Sequence, residues 1–252
     1  MRPLALADYP GGVLIQFDNG GFACCHPWPQ FGQAPLDEQI ACLKKGKLTP
    51  LLIRSLACAK IDGEAREKDQ WLFKGKRLPK SYTLLETLDI EVEGDIKVKG
   101  DLQAINSFIK ASRATKIRID CNFSTSEQTL TTFLEQHQGN PKIAYIEDPI
   151  PYNSEKWLSL QQKYRIPFAV DWALGDAAPY RIVKPAREAI PMHSNQHLVV
   201  THSLEHPLGR AFAAYEALKY GITDVGLSGL TLEPGTGLGF DETLSQLTWR
   251  PL

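Results

Sequence analysis

The chain has 252 residues, 43% of them hydrophobic, enough to bury a substantial core as one α/β barrel or two smaller domains. Its 28 basic and 29 acidic residues nearly cancel, which leaves no broad positive footprint for nucleic acid. Five scattered cysteines (Cys24, Cys25, Cys42, Cys58, Cys121) do not read as a disulfide framework, and no stretch approaches the roughly 20 apolar residues of a membrane span. The start lacks the long apolar run of a signal peptide, so the expectation is a reduced, cytoplasmic protein with no membrane or nucleic-acid partner. Oligomeric state is not legible.

In chain order, residues 1–80 read as irregular. GGVLIQF predicts a strand, ended by the turn residues Asp18-Asn19-Gly20-Gly21. CCHPWPQFGQAP carries three prolines and reads as loop. LDEQIACLKKGK predicts a short amphipathic helix stopped near Gly46, and PLLIRSLACAKIDGEARE a second one. KGKRLPKS is a basic connector.

From Tyr82 the pattern becomes regular. YTLLETL, DIKVKG, KIRIDCN, IAYIEDP, PFAVD, YRIVKP, HLVVTH and DVGLSG predict eight strands. Helix signals lie between several of them: Ser124 to Glu127 can cap TLTTFLEQH, SEKWLSLQQKY follows Asn153, and GRAFAAYEALKYG ends at Gly221. Strands alternating with helices imply a parallel sheet, and eight suggest a β/α barrel, with a doubly wound open sheet as the alternative. Asp171 and Lys184 are only 13 positions apart, too close for a full crossover helix, so that helix is expected to be missing or reduced to a turn.

Charge placement carries the functional information. Successive strands end in Lys97 and Lys99, Asp120, Glu147 with Asp148, Asp171, and Lys184. In a β/α barrel those ends share the face where active sites are built. Three carboxylates brought together would repel one another, and a hard divalent cation with oxygen ligands resolves this. Lys97 and Lys99 are two apart and point to one side of their strand. A second ammonium and a cation nearby make proton release from Lys99 easier, as a base near neutral pH requires. Each charge alone reads as a solvated strand end, and Asp120 with Asn122 as a helix cap. The ordered set KxK, DxN, ED-P, D and KP on five successive strands is the stronger observation.

That order resembles the enolase superfamily in its muconate-lactonizing subgroup, most closely the o-succinylbenzoate synthases, on IKVKG, IRIDCN, YIEDP, FAVD, IVKP and VVTHSLEHPLG, from about Tyr82 to the C-terminus. The resemblance implies a modified (β/α)7β TIM-like barrel, residues 81–252, with a reduced N-terminal α+β capping domain, residues 1–80, to which the C-terminal tail contributes. It implies Asp120, Glu147 and Asp171 as ligands of Mg²⁺, with Mn²⁺ as the alternative. It implies Lys99 as the catalytic base, Lys184 as the lysine on the opposite face, and Lys97 as the residue that orients its neighbour. Asn122 and Arg118 fall where supporting groups would be. Ser203 is a candidate substrate contact, through its backbone N–H, or else the cap of the following helix.

The implied activity is dehydration of a small carboxylate, 2-succinyl-6-hydroxy-2,4-cyclohexadiene-1-carboxylate, to o-succinylbenzoate through an enediolate, a step of menaquinone biosynthesis. A racemase or epimerase of N-acylamino acids or dipeptides would use the same two lysines, although GLSGLTLEPGTGLG lacks the acidic pair that the epimerases tend to carry. A Schiff-base aldolase through Lys184 and a non-catalytic binding barrel are the readings from other classes. Cys24-Cys25-His26 lacks a second ligand pair for zinc, GTGLG lacks the context of a phosphate loop, and His202 and His206 beside Ser203 lack a nucleophile elbow.

Overall fold

The computed structural model describes residues 1–88, 91–173 and 175–252. The chain divides into two compact units, one of residues 1–80, 183–191 and 200–252, the other of residues 81–182 and 192–199.

The first unit begins with an antiparallel sheet of β1 (Pro3–Tyr9), β2 (Gly12–Phe17) and β3 (Phe22–Cys25). β12 (Arg250–Pro251) extends it, giving the order β12-β1-β2-β3. This corrects the irregular reading of the N-terminal residues, and in particular the loop reading of Cys24 and Cys25. Pro3 and Asp8 blur the alternation of β1, and β3 is too short for its pattern to stand out against the prolines that follow. Both cysteines are buried, and His26 stacks on Tyr9 with ring centroids 5.7 Å apart.

Two helices follow, α1 (Leu36–Lys44) and α2 (Pro50–Arg66), and α2 packs on β3. Thr49 caps α2 by accepting the Leu52 N–H at 3.2 Å, with Pro50 in the first turn. α2 lies so close to the β2–β3 turn that only glycine fits at the contact: a Cβ on Gly21 would meet the Ala59 carbonyl at 2.0 Å. The fully buried Asp62 on α2 accepts N–H groups of Phe22 and Leu238 at 2.9 and 2.7 Å and pairs with Arg66 at 2.7 Å. One buried charge thereby ties helix, β3 and C-terminal segment together.

All eight strands expected from Tyr82 onward are present. They are β4 (Thr83–Leu85), β5 (Glu93–Lys99), β6 (Arg113–Asp120), β7 (Ile143–Glu147), β8 (Phe168–Val170), β9 (Tyr180–Val183), β10 (His197–Thr201) and β11 (Val225–Gly226). They pair in sequence order in one sheet, parallel wherever the register is resolved, and form a nearly closed barrel. The connecting helices are α3 (Leu102–Ala111), α4 (Glu127–Gln136), α5 (Ser154–Tyr164) and α6 (Pro207–Lys219), and a short α7 (Asp241–Ser245) follows the last strand. Asp101, Ser126 and Asn153 cap α3, α4 and α5 with side-chain oxygens on backbone N–H groups. Among the described residues no helix lies between β8 and β9, in keeping with the short Asp171–Lys184 spacing.

Strand alternation decides which side chains reach the site. Ile96, Val98, Ile117, Ile119, Ile146, Phe168 and Val170 join helix residues such as Ile105, Leu130 and Trp157 in one core. The intervening positions build a smaller cluster of Tyr82, Tyr145, Ala169, Ile182 and Val199. Trp157 on α5 is fully buried and meets Phe168 edge-on at 5.4 Å. Trp157→Ala is expected to cost about 3–5 kcal/mol of stability, read as a lower urea midpoint at an unchanged slope; a midpoint equal to wild type would contradict this packing.

Candidate active site

The parallel register sets charged residues in rows. Lys99 lies opposite Asp120, and Asp120 opposite Glu147, across β5, β6 and β7. Lys97 lies opposite Arg118, and Arg118 opposite Tyr145, one layer below. Asp171 directly follows β8, two residues past Ala169, the partner of Glu147. Because side chains two apart share a face, the layers stack inside one strand row.

The Lys97 ammonium sits between two carboxylates. It donates to Glu147 Oε1 and Oε2 at 2.9 and 2.7 Å and pairs with Asp120 Oδ2 at 2.8 Å. All three residues are buried. Burial favours the neutral amine, but the Glu147 and Asp120 charges outweigh it and hold the Lys97 pKa well above the ordinary lysine range. Burial likewise pushes Asp120 up, and Lys97 and Lys99 more than reverse this, leaving its carboxyl below the usual range. Lys99 reaches the same Asp120 oxygen at 3.3 Å, yet its side chain is 47% exposed. Of the two lysines, Lys97 is locked in and Lys99 is accessible.

Asp120 Oδ1 is buried with no hydrogen-bond partner among the described residues. Asp171 is buried too, and its charge acts on both Asp120 and Asp148. Burial, with Asp171 and Glu147 alongside, raises the Asp148 carboxyl to about 8. Asp120, Glu147 and Asp171 at adjacent strand ends are an all-oxygen donor set, the chemistry of a hard cation such as Mg²⁺ or Mn²⁺. Among the described residues no three acidic, His or Cys side chains already stand close enough to hold a metal ion, since Lys97 takes the oxygens of Glu147 and one of Asp120.

Arg118 lies in the layer of Lys97. Its guanidinium stands 4.4 Å from the centre of the Tyr82 ring and 5.8 Å from that of Tyr145, a cation–π arrangement in the strand interior. Asn122 is exposed and left-handed at φ 44°, a conformation its short amide side chain tolerates, so it serves the turn after β6. Neither Asp120 nor Asn122 caps the next helix; Ser126 does, accepting the Thr129 N–H at 3.1 Å.

In the first unit, Lys184 follows β9 and is buried. Its carbonyl accepts N–H groups of Arg187 and Glu188 in a tight turn, at 2.7 and 2.9 Å. The structure corrects the reading of Ser203 as a helix cap. The Ser203 backbone N–H donates to the Glu205 carboxylate, and the cap of α6 is His206, whose Nδ1 accepts the Leu208 N–H at 3.2 Å. The Ser203 hydroxyl oxygen, by contrast, is buried without a hydrogen-bond partner among the described residues. Trp28 Nε1 donates to the Ser203 carbonyl at 3.0 Å, and Leu204 takes a left-handed φ of 59°. Sequence reasoning missed Glu205, the residue that shapes this turn; its signal was a lone acid inside the apolar run HLVVTHSLEHPLG.

Residues 6–65 match the family described as the o-succinylbenzoate synthase N-terminal domain. The chain is 28% identical to the o-succinylbenzoate synthase of Bdellovibrio bacteriovorus, over 96% of this chain and 91% of that protein. A muconate cycloisomerase from Pseudomonas fluorescens superposes with a TM-score of 0.72 at 16% identity, covering 97% of each chain. A dipeptide epimerase from Cytophaga hutchinsonii, solved with Mg and the dipeptide D-Ala-L-Val, superposes with a TM-score of 0.68 at 17% identity, over 95% of this chain and 91% of that one. The chain is thus an enzyme with the barrel fold of the muconate-lactonizing enzymes. By sequence it resembles the o-succinylbenzoate synthases, which are lyases. No described helix is long and apolar enough to cross a membrane.

Glu205 gives a pH test. Burial pushes its carboxyl from 4.5 up to about 7, against the Ser203 N–H, Arg210 and Lys184. Between those values the folded chain keeps a proton that the unfolded chain has lost, so this group makes stability fall as pH rises from 4.5 to about 7. Glu205→Gln removes that dependence. The difference in unfolding free energy should therefore move in the variant's favour as pH rises across this window and level off above it; parallel pH profiles in urea unfolding would contradict the assignment.

Proposed function

We propose that the chain is a divalent-metal-dependent dehydratase that converts 2-succinyl-6-hydroxy-2,4-cyclohexadiene-1-carboxylate to o-succinylbenzoate, a step of menaquinone biosynthesis. The observation that carries this reading is the row Lys99–Asp120–Glu147, in which one accessible amine borders a buried nest of carboxylates. The similarity to a synthase along nearly the whole chain, and to the synthase N-terminal domain, supports the substrate.

Asp120, Glu147 and Asp171 would hold Mg²⁺ or Mn²⁺, which when bound supplies positive charge to the substrate carboxylate and acidifies the neighbouring C–H. Until a cation takes over their oxygens, Lys97 keeps Asp120 and Glu147 in place and offsets their mutual repulsion. Lys99, as the free amine, takes the proton from the carbon next to the carboxylate. The electron pair left behind is delocalised as an enediolate, and Lys184 offers its ammonium charge to it. As the pair returns to form the ring double bond, the C–O bond breaks. The hydroxyl leaves with the proton held on Lys99, and water and an aromatic ring result. Ser203 contributes its hydroxyl to the substrate, with Arg118 and Asn122 as supports of the strand ends.

Lys99→Ala is expected to lower kcat by about 10²–10⁴-fold, with the circular-dichroism spectrum unchanged. EDTA should abolish formation of o-succinylbenzoate, and Mg²⁺ should restore it. Near-normal turnover by the variant would remove Lys99 as the base, and activity that survives EDTA would remove the metal. Exchange of an α-proton of a chiral N-acylamino acid in D₂O, with no succinylbenzoate formed, would move the reading to a racemase.

A further inference from the structure

Asp148 follows Glu147 and belongs to no part of the mechanism above, yet it is only 1% exposed. Its two carboxylate oxygens accept the N–H groups of Asp171 and Trp172, each at 3.2 Å. Its own N–H donates to the Ala169 carbonyl at 3.0 Å, and its carbonyl accepts the Phe123 N–H at 2.8 Å. A single residue is therefore bonded to the chain leaving β6 and to the chain leaving β8. It does so at φ 43°, a left-handed conformation that a residue with a Cβ adopts only at a cost. Such strain persists where surrounding bonds over-determine it.

Asp171 needs this help more than the other two acids. Asp120 and Glu147 are the last residues of β6 and β7 and are paired in register with a neighbouring strand. Asp171 lies one residue beyond β8, a strand of only three residues, and no helix among the described residues follows to fix it. We infer that Asp148 is a positioning residue, whose carboxylate holds the backbone of Asp171 and Trp172 so that the Asp171 side chain stands ready for the cation. The inference rests on the proposed role of Asp171 as a ligand.

The test is Mn²⁺ binding by calorimetry and electron paramagnetic resonance, with thermal unfolding alongside, for wild type, Asp148→Ala, Asp148→Asn and Asp171→Asn. Asp148→Ala removes both acceptors, and its Mn²⁺ affinity should fall about 10–100-fold while the chain stays folded. Asp148→Asn keeps one acceptor oxygen and should fall between wild type and the alanine variant. Asp171→Asn should be at least as weak as either. A folded Asp148→Ala that binds Mn²⁺ as wild type does overturns the positioning role and leaves the ligand set standing. Should the alanine variant not fold, Asp148→Asn decides, and wild-type affinity there overturns the role. A wild type that binds no Mn²⁺ overturns the ligand reading and this inference with it.

Discussion

Three parallel strands deliver an ammonium and two carboxylates to one buried spot, and those charges must balance before anything else at the barrel end can be arranged. Lys97 bridges Glu147 and Asp120 at 2.7 and 2.8 Å. Removing such ions from water costs several kcal/mol each, and the mutual attraction offsets this only with good geometry and further hydrogen bonds. The geometry comes from register: Lys97 is one layer below the Lys99–Asp120–Glu147 row, so its four-carbon stem can rise between the two acids. A metal ion entering the site would have to take these oxygens over from Lys97, which makes the ammonium a stand-in for the charge that the acids require.

The same alternation that places these charges also builds the scaffold under them. Ile96, Val98, Ile117, Ile119, Ile146, Phe168 and Val170 of β5 to β8 pack on the helix side, and Lys97, Arg118, Tyr145 and Ala169 between them face the other way, with Tyr82 from just before β4. Cation–π contacts to Arg118 fill that inner layer without leaving a dry charge unsupported. Above it, backbone bonds stitch the strand ends: Cys121 N–H to the Glu147 carbonyl, Phe123 N–H to the Asp148 carbonyl, and Asp148 N–H to the Ala169 carbonyl. The left-handed residues Asn122, Phe123 and Asp148 allow these crossings.

The strands β5 to β9 were legible because each carries a short apolar run that ends in or beside a charge, and the helices because Ser126 and Asn153 announce themselves as caps. The row of charges was legible as an ordered set on five successive strands, where any one of them alone reads as a solvated strand end. Of the N-terminal sheet only β2 was legible, because the pairing of β1 with β12 joins residues nearly the whole chain apart, and no local pattern records such a partner. Nor was the work of Asp148 and Glu205. Each is an acid whose use is to accept backbone N–H groups, and only folding brings those groups to it. Ser203 supplies one of those groups, its N–H donating to Glu205.

The central claim is that Asp120, Glu147 and Asp171 form one cation site beside an accessible Lys99. A crystal structure of the protein grown with Mn²⁺, with anomalous diffraction to locate the ion, tests it most directly. The account predicts a single strong peak within bonding distance of all three carboxylates, with Lys97 released from Glu147. A peak elsewhere, or none while Lys97 still bridges Glu147 and Asp120, would contradict it.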